Sequence, residues 1–88
     1  MNNIHDEEVV IMFQYKMPSL GGDVEKGAII KWYKKVGEKV DKGDILIAVE
    51  TDKVVLEIEA EFTGIIGRIL VNEGETASPG MVIAEIDE

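Results

Sequence analysis

Cysteine is absent from the 88 residues, and histidine occurs once, as His5. Without cysteine the chain has no disulfide and no thiolate metal site, which fits a reducing compartment. The two serines, Ser19 and Ser78, have no second histidine that could supply a base, so nucleophilic triad chemistry is not expected. We therefore expect no catalytic residue, no metal site and no autonomous enzyme.

Basic residues and long apolar runs are also scarce. The net charge is −9, and Arg68 is the sole basic residue after Val54. Nucleic acid and anionic membranes bind basic surfaces, so neither is an expected partner.

No segment is long and apolar enough to cross a bilayer, and acidic residues 6–8 have the wrong sign for a leader or transit peptide. We predict a flexible extension over residues 1–12, one domain over 13–88, and a cytoplasmic location, or the mitochondrial matrix in a eukaryote.

A direct repeat organises the chain. Residues 15–51 can be laid on residues 52–88 with a constant offset of 37 and no gap. The offset superposes three pairs of glycines: Gly27 on Gly64, Gly37 on Gly74, and Gly43 on Gly80. Lys53 lies where the two halves join, so the repeat favours a scaffold that presents this lysine, with a quasi-twofold axis between the halves.

Two alternating apolar runs flank Lys53, at residues 44–50 and 54–60. The alternation predicts two half-buried strands. Ile45, Ile47 and Val49 should share one face of the first strand, and Glu57, Glu59 and Glu61 should lie on a solvated face of the second. The strands are close enough to form a tight hairpin. A tip at Thr51-Asp52 pairs Val49 with Val54, whereas a tip at Asp52-Lys53 pairs Val49 with Leu56. Both registers place apolar residues opposite each other, so the pattern leaves both open.

Three further strands are predicted at residues 13–18, 28–35 and 65–71. Pro18 places the first at a sheet edge or strand end. A helix over 28–36 is the alternative for the second, but its repeat partner carries Gly67, which disfavours a helix. Trp32 and Tyr33 should point to opposite faces of the strand. With very short strands between the glycine turns, the total is about eight, which predicts an all-β antiparallel sandwich or flattened barrel.

At this point the sequence resembles the lipoyl domain of the dihydrolipoamide acyltransferase component of 2-oxo acid dehydrogenase complexes, within the biotinyl/lipoyl attachment domain family. The resemblance covers roughly residues 14–88. It is carried by five motifs: Met17-Pro18-Ser19-Leu20-Gly21, Val36-Gly37-Glu38-Lys39-Val40, Lys42-Gly43-Asp44, Glu50-Thr51-Asp52-Lys53-Val54, and Gly64 followed by Gly74-Glu75.

The resemblance implies a flattened barrel of two four-stranded sheets with Asp52 and Lys53 at the centre of the hairpin turn. It also implies that Lys53 carries lipoic acid in amide linkage. Recognition would involve the residues that flank the lysine, the loop after the first strand, and two scaffold glycines: Glu50, Thr51, Asp52, Val54, Leu20, Gly21, Gly22, Asp23, Gly37 and Gly64.

The partners implied by the resemblance are enzymes. A lipoate ligase or lipoyl transferase would modify Lys53. A thiamin-diphosphate-dependent decarboxylase would then acylate the arm, an acyltransferase core would take the acyl group to coenzyme A, and dihydrolipoyl dehydrogenase would reoxidise the arm. The domain would thus act as a swinging-arm carrier, and by itself it is expected to be a monomer.

Two other functions compete with this hypothesis. Biotin carrier domains of carboxylases share the architecture but usually have methionine on both sides of the lysine, where this chain has Asp52 and Val54. An unmodified barrel acting as a structural or adaptor module would not need the Glu-Thr-Asp-Lys tip. The sequence does not specify which 2-oxo acid is processed.

Overall fold

The computed structural model describes residues 12–88, which form eight β-strands and no helix. The predicted extension with His5 lies outside the described residues, except for Met12. The strands are β1 (Met12–Lys16), β2 (Gly27–Trp32), β3 (Lys39–Val40), β4 (Ile45–Glu50), β5 (Val55–Glu59), β6 (Gly64–Ile69), β7 (Thr76–Ala77) and β8 (Val82–Asp87).

The strands pair into two four-stranded sheets, with orders β1-β8-β6-β3 and β5-β4-β2-β7, and every pairing is antiparallel. This confirms the predicted all-β barrel of two sheets. The helical alternative for residues 28–36 is wrong, since β2 alternates between a buried Ile29 and an exposed Ile30. β1 lies at a sheet edge and ends before Pro18, as that proline predicts.

Apolar side chains from both sheets meet in one core. The alternation in β5 is as predicted, with Leu56 and Ile58 packed on the core and Glu57 and Glu59 exposed. The fully buried large side chains are Met17, Ile29, Val40, Leu46, Ile47, Val49, Ile66, Ile83 and Ile86. Because both sheets contribute, the core holds the halves together as one unit.

A β-bulge breaks the predicted alternation in β4. Ile45 pairs with Glu59 and Ile47 with Ile58, so Leu46 has no partner in β5. The bulge turns Leu46 into the core beside Ile47, both with no exposed surface, while Ile45 is only half-buried. The prediction that Ile45, Ile47 and Val49 share one face is therefore wrong at Ile45.

The repeat holds for three strand pairs and fails for the fourth. β2, β3 and β4 lie 37 residues before β6, β7 and β8, but β1 lies 43 residues before its equivalent, β5. The prediction of a gapless repeat is thus wrong at the first strand. Ten residues (17–26) connect β1 to β2, whereas four (60–63) connect β5 to β6. The two halves differ by a six-residue insertion in this connection.

Paired glycine turns explain the rest of the repeat. Gly37 and Gly74 have φ of 90° and 91°, the left-handed region that glycine adopts most readily. The following glutamates reach back across each turn: the Glu38 carboxylate accepts the Lys35 N–H at 2.9 Å, and that of Glu75 accepts the Asn72 N–H at 2.7 Å. The Gly-Glu dipeptide thus forms the same kind of turn once in each half.

Candidate functional site

The β4–β5 hairpin has Asp52 and Lys53 at its tip. Val49 pairs with Leu56, and Ile47 pairs with Ile58. Of the two registers left open by the sequence, the structure adopts the one with Asp52-Lys53 as the central residues. The apolar pattern could not distinguish the two registers, because both bury the same face of the strands. The registers differ in which residues form the turn.

The side chain of Lys53 is exposed to solvent at the end of this hairpin. Glu50, Asp52 and Val54 around it are also exposed, Val54 by 52%, while Thr51 is half-buried. Within residues 12–88, Lys53 forms no ion pair, whereas Lys34 and Lys39 pair with Asp44 and Asp41. The ammonium of Lys53 is therefore available to a reagent that approaches from solvent.

The hydroxyl group of Thr51 forms hydrogen bonds with the backbone of the tip. The Thr51 N–H donates to the Val54 carbonyl at 2.8 Å. Thr51 Oγ1 also donates to that carbonyl at 3.0 Å and accepts the N–H groups of Lys53 and Val54 at 3.2 and 3.1 Å. These bonds fix the turn through one residue, Thr51.

An open groove of about 500 Å³ lies beside Lys53. Its walls come from three parts of the chain: residues 23–28 at the end of the β1–β2 connection and the start of β2, residues 50–53 at the tip, and Thr76. The structure thus places Asp23 of the predicted recognition loop on the groove that Lys53 also lines. Val24, Lys26, Ala28 and Thr76 line the same groove and were not predicted.

The other predicted loop residues do not line the groove. Leu20 is only 5% exposed and belongs to the core. Gly21 and Gly22 form a left-handed turn, with φ of 98° and 49°. The Val24 N–H donates to the Gly21 carbonyl at 3.1 Å, which closes this turn before the groove begins.

Gly37 and Gly64 lie apart from the groove as well. A Cβ on Gly64 would be 2.7 Å from the Asp87 carbonyl oxygen, at the end of β8. The Gly37 N–H donates to the Ile66 carbonyl at 2.7 Å. Of their repeat partners, Gly27 lines the groove, whereas the Gly74 N–H donates to the Ile29 carbonyl at 2.7 Å.

Gly27 lines the groove, although the sequence indicated it only as part of the repeat. A Cβ there would collide with Val49 Cγ1 and lie 3.1 Å from Leu20 Cδ1. The absence of a side chain lets β2 approach the core under the Lys53 tip. The signal in the sequence was the match of Gly27 with Gly64, since both repeat positions exclude a Cβ.

Away from the tip, Trp32 and Tyr33 both form hydrogen bonds through their side chains. The indole N–H of Trp32 donates to the Val71 carbonyl at 2.9 Å, while Tyr33 lies on the opposite, exposed face near Glu57, as predicted.

Residues 12–88 hold no cluster of acidic or histidine side chains suited to a metal ion. No helix within this range could cross a membrane. The exposed lysine is therefore the chemical feature that stands out.

A lysine at the tip of a tight hairpin, in a two-sheet barrel with quasi-twofold symmetry, defines the class of small domains that carry a prosthetic group on a lysine. Sequence comparison agrees. The family model described as biotin-requiring enzyme, the biotin/lipoyl family, matches residues 14–86. The chain belongs to this family, and it is a non-catalytic carrier domain.

Among curated proteins, the chain is 40% identical over 77 residues to the dihydrolipoyllysine-residue succinyltransferase component of the 2-oxoglutarate dehydrogenase complex of Staphylococcus saprophyticus. It is 37% identical over 75 residues to the dihydrolipoyllysine-residue acetyltransferase component of the pyruvate dehydrogenase complex of Staphylococcus epidermidis. The matches cover 88% and 85% of this chain but 18% and 17% of the relatives. The chain thus corresponds to one module of those proteins.

Two solved structures share the fold. The lipoyl domain of the 2-oxoglutarate dehydrogenase complex from Azotobacter vinelandii superposes with a TM-score of 0.68 at 36% identity, over 85% of this chain and 95% of that domain. A single-chain, multi-domain long-chain acyl-CoA carboxylase gives a TM-score of 0.71 at 16% identity, over 88% of this chain and 7% of that one. The second likeness concerns the fold alone.

Proposed function

We propose that Lys53 is the attachment point for lipoic acid and that the domain is a lipoyl carrier of a 2-oxo acid dehydrogenase complex. The observation that carries the proposal is the exposed Lys53 at the centre of the hairpin turn. Attachment forms an amide between Lys53 Nζ and the lipoyl carboxyl carbon. Adenosine monophosphate leaves when a ligase supplies the acid as an adenylate, and the amine loses a proton.

The surroundings of Lys53 fit such a group. The amine faces solvent, so a ligase can reach it, and the groove beside it includes the apolar side chains of Val24 and Ala28. When bound, the dithiolane supplies the acyl-transfer and redox chemistry that the chain lacks. The chain itself holds the attachment point on a rigid turn and keeps the tethered group at a high local concentration for each partner enzyme.

Lipoyl rather than biotinyl attachment is supported by two observations. The neighbours of the lysine are Asp52 and Val54, and neither is methionine. The relatives at 36–40% identity are named as lipoyl domains or as dihydrolipoyllysine acyltransferase components, while the carboxylase is 16% identical. We accordingly place the chain in a dihydrolipoamide acyltransferase.

The proposed partners are a lipoate ligase or transferase, the decarboxylase, the acyltransferase core and dihydrolipoyl dehydrogenase, acting in the cytoplasm. Glu50, Asp52 and Val54 at the tip, with Asp23 across the groove, form the surface that these enzymes would read. Gly37 and Gly64 contribute through the scaffold, because they lie away from this surface. The carrier domain itself comprises residues 13–88.

The test is modification of the purified domain by lipoate ligase with ATP and lipoate, followed by intact-mass measurement. We expect a single lipoyl-sized gain for the wild type, no gain for Lys53→Arg, and a normal gain for Lys42→Arg. Lys42 is a matched control because it is also exposed in a turn. A gain that survives in Lys53→Arg would contradict the proposed site, and no gain in the wild type would contradict the function.

A further inference from the structure

The turn that presents Lys53 lacks the usual backbone geometry of a tight hairpin. Turns of types I′ and II′ match the twist of the flanking strands, and both need positive φ in the central residues. Among residues 12–88, positive φ occurs only at glycines, and Asp52 and Lys53 have negative φ. The turn is therefore of neither type, and a side chain forms hydrogen bonds with its backbone.

The support comes from Thr51. In a simple four-residue turn, the last N–H donates to the first carbonyl. Here the Val54 N–H donates to Thr51 Oγ1 at 3.1 Å, and the sole backbone–backbone bond described between Thr51 and Val54 runs from the Thr51 N–H to the Val54 carbonyl, at 2.8 Å. The hydroxyl takes the place of a backbone acceptor.

The same hydroxyl satisfies the backbone of Lys53. A threonine hydroxyl has one donor and two acceptor lone pairs. Thr51 Oγ1 uses all three, since it donates to the Val54 carbonyl at 3.0 Å and accepts the N–H groups of Lys53 and Val54 at 3.2 and 3.1 Å.

We propose that Thr51 is a positioning residue: its hydroxyl holds the 51–54 turn in one conformation and so presents Lys53 to the enzyme that forms the amide. The inference rests on the proposed attachment at Lys53. It differs from the expectation that Thr51 is read by a partner, because a hydroxyl with every bonding position used within the turn acts through the backbone of Lys53.

The expected signature is a change in apparent affinity. If the ligase accepts one turn conformation, its apparent KM for the domain rises as the inverse of the population of that conformation. When the hydroxyl is removed, the N–H groups of Lys53 and Val54 bond to water instead, and the turn can adopt other conformations. A productive population of about a tenth raises KM about tenfold, while kcat of the bound complex stays within about twofold.

The experiment compares Thr51→Val, which replaces the hydroxyl by a methyl group, with Thr51→Ser, which keeps it. Thr63→Val is the matched control, since Thr63 Oγ1 also accepts a backbone N–H, that of Lys42 at 3.2 Å, in a different turn. Each variant is modified by lipoate ligase with ATP and lipoate at several domain concentrations. In parallel, amide hydrogen exchange is followed at Lys53 and Val54, with thermal unfolding as the check on folding.

We expect Thr51→Val to raise KM about tenfold and to speed exchange at Lys53 and Val54 by a similar factor. Thr51→Ser and Thr63→Val should match the wild type within about twofold on both measures, because the turn hydroxyl remains in place. Wild-type kinetics in Thr51→Val would overturn the proposal. A raised KM with unchanged exchange would also overturn it, since the enzyme would then be reading the hydroxyl directly.

Failure of the underlying function gives a different result. If the wild type gains no lipoyl mass at Lys53, the attachment itself is wrong and Thr51 loses its proposed role, whatever the exchange rates. If the wild type is modified while Thr51→Val behaves like it, the attachment stands and only the role of Thr51 fails.

Discussion

At the scale of single residues, Tyr15 shows how the barrel changes the chemistry of one side chain. It packs against Phe62, with ring centroids 5.4 Å apart, in a cluster that includes Phe13. Burial, with the charge of Glu61 as a second cause, raises the pKa of Tyr15 to about 12. Folding therefore favours the neutral phenol, since the ionised form loses hydration.

This shift predicts a loss of stability at high pH. A folded-state pKa above the unfolded value of 10.0 means that stability is fully present below pH 10 and falls as pH rises toward 12. After allowance for solvent screening, we expect Tyr15→Phe to lose about 1 kcal/mol less free energy of unfolding than the wild type between pH 7 and pH 11. Urea unfolding at pH 7 and pH 11 measures the difference. An equal loss of unfolding free energy between pH 7 and pH 11 in the wild type and in Tyr15→Phe would contradict the raised pKa of Tyr15.

Gly27 is the second residue whose role depends on its surroundings. A Cβ there collides with Val49 Cγ1, so we predict that Gly27→Ala lowers the free energy of unfolding by about 2 kcal/mol. The collision can be relieved from the other side. In the double variant Gly27→Ala/Val49→Ala, the cost of the alanine at 27 should largely disappear. Simple additivity of the two costs, measured by chemical unfolding, would show that the contact is not the cause.

At the scale of elements, the turns repeat more faithfully than the strands. Gly37 and Gly74 share a left-handed φ, and no atom lies within 4 Å of a Cβ built on either. The cost of alanine is then purely conformational. We predict that Gly37→Ala and Gly74→Ala each destabilise the domain by about 1 kcal/mol. Thermal or urea unfolding of both variants is the check, and costs that differ severalfold would show that the two turns are not equivalent.

The sequence could predict the strands but not all of their registers. Alternation marked β4 and β5 because their core residues recur every second position. The pattern could not predict the bulge at Leu46, which buries two consecutive residues and leaves Ile45 half-buried. Nor could it choose the tip of the hairpin. The adopted tip has the hydrogen bonds of Thr51, which are local interactions that hydrophobic spacing does not reveal.

At the scale of the whole molecule, the departure from symmetry lies beside Lys53. The six-residue insertion is in the connection 17–26, whose last residues line the groove next to Lys53. Constant spacing of the glycines hid the insertion, because those glycines all lie after it. The groove could not be predicted as a whole, since residues 23–28, 50–53 and 76 meet only through the pairing of β2 with β4 and β7.

Net charge is also a property of the whole molecule. The chain carries −9, and amide formation at Lys53 removes one positive charge. We predict that the modified domain binds an anion exchanger more tightly and elutes at higher salt than the unmodified domain. Unmodified Lys53→Gln, which lacks the same charge, should elute close to the modified wild type. Co-elution of modified and unmodified wild type would contradict attachment to an amine.

Attachment of lipoate to Lys53 can be measured directly. The domain is offered both lipoate ligase with lipoate and biotin ligase with biotin, and its peptides are then sequenced by mass spectrometry. We expect a lipoyl group on Lys53 and no modification of any other lysine. A biotinyl group on Lys53, a lipoyl group on a different lysine, or an unmodified Lys53 would contradict it.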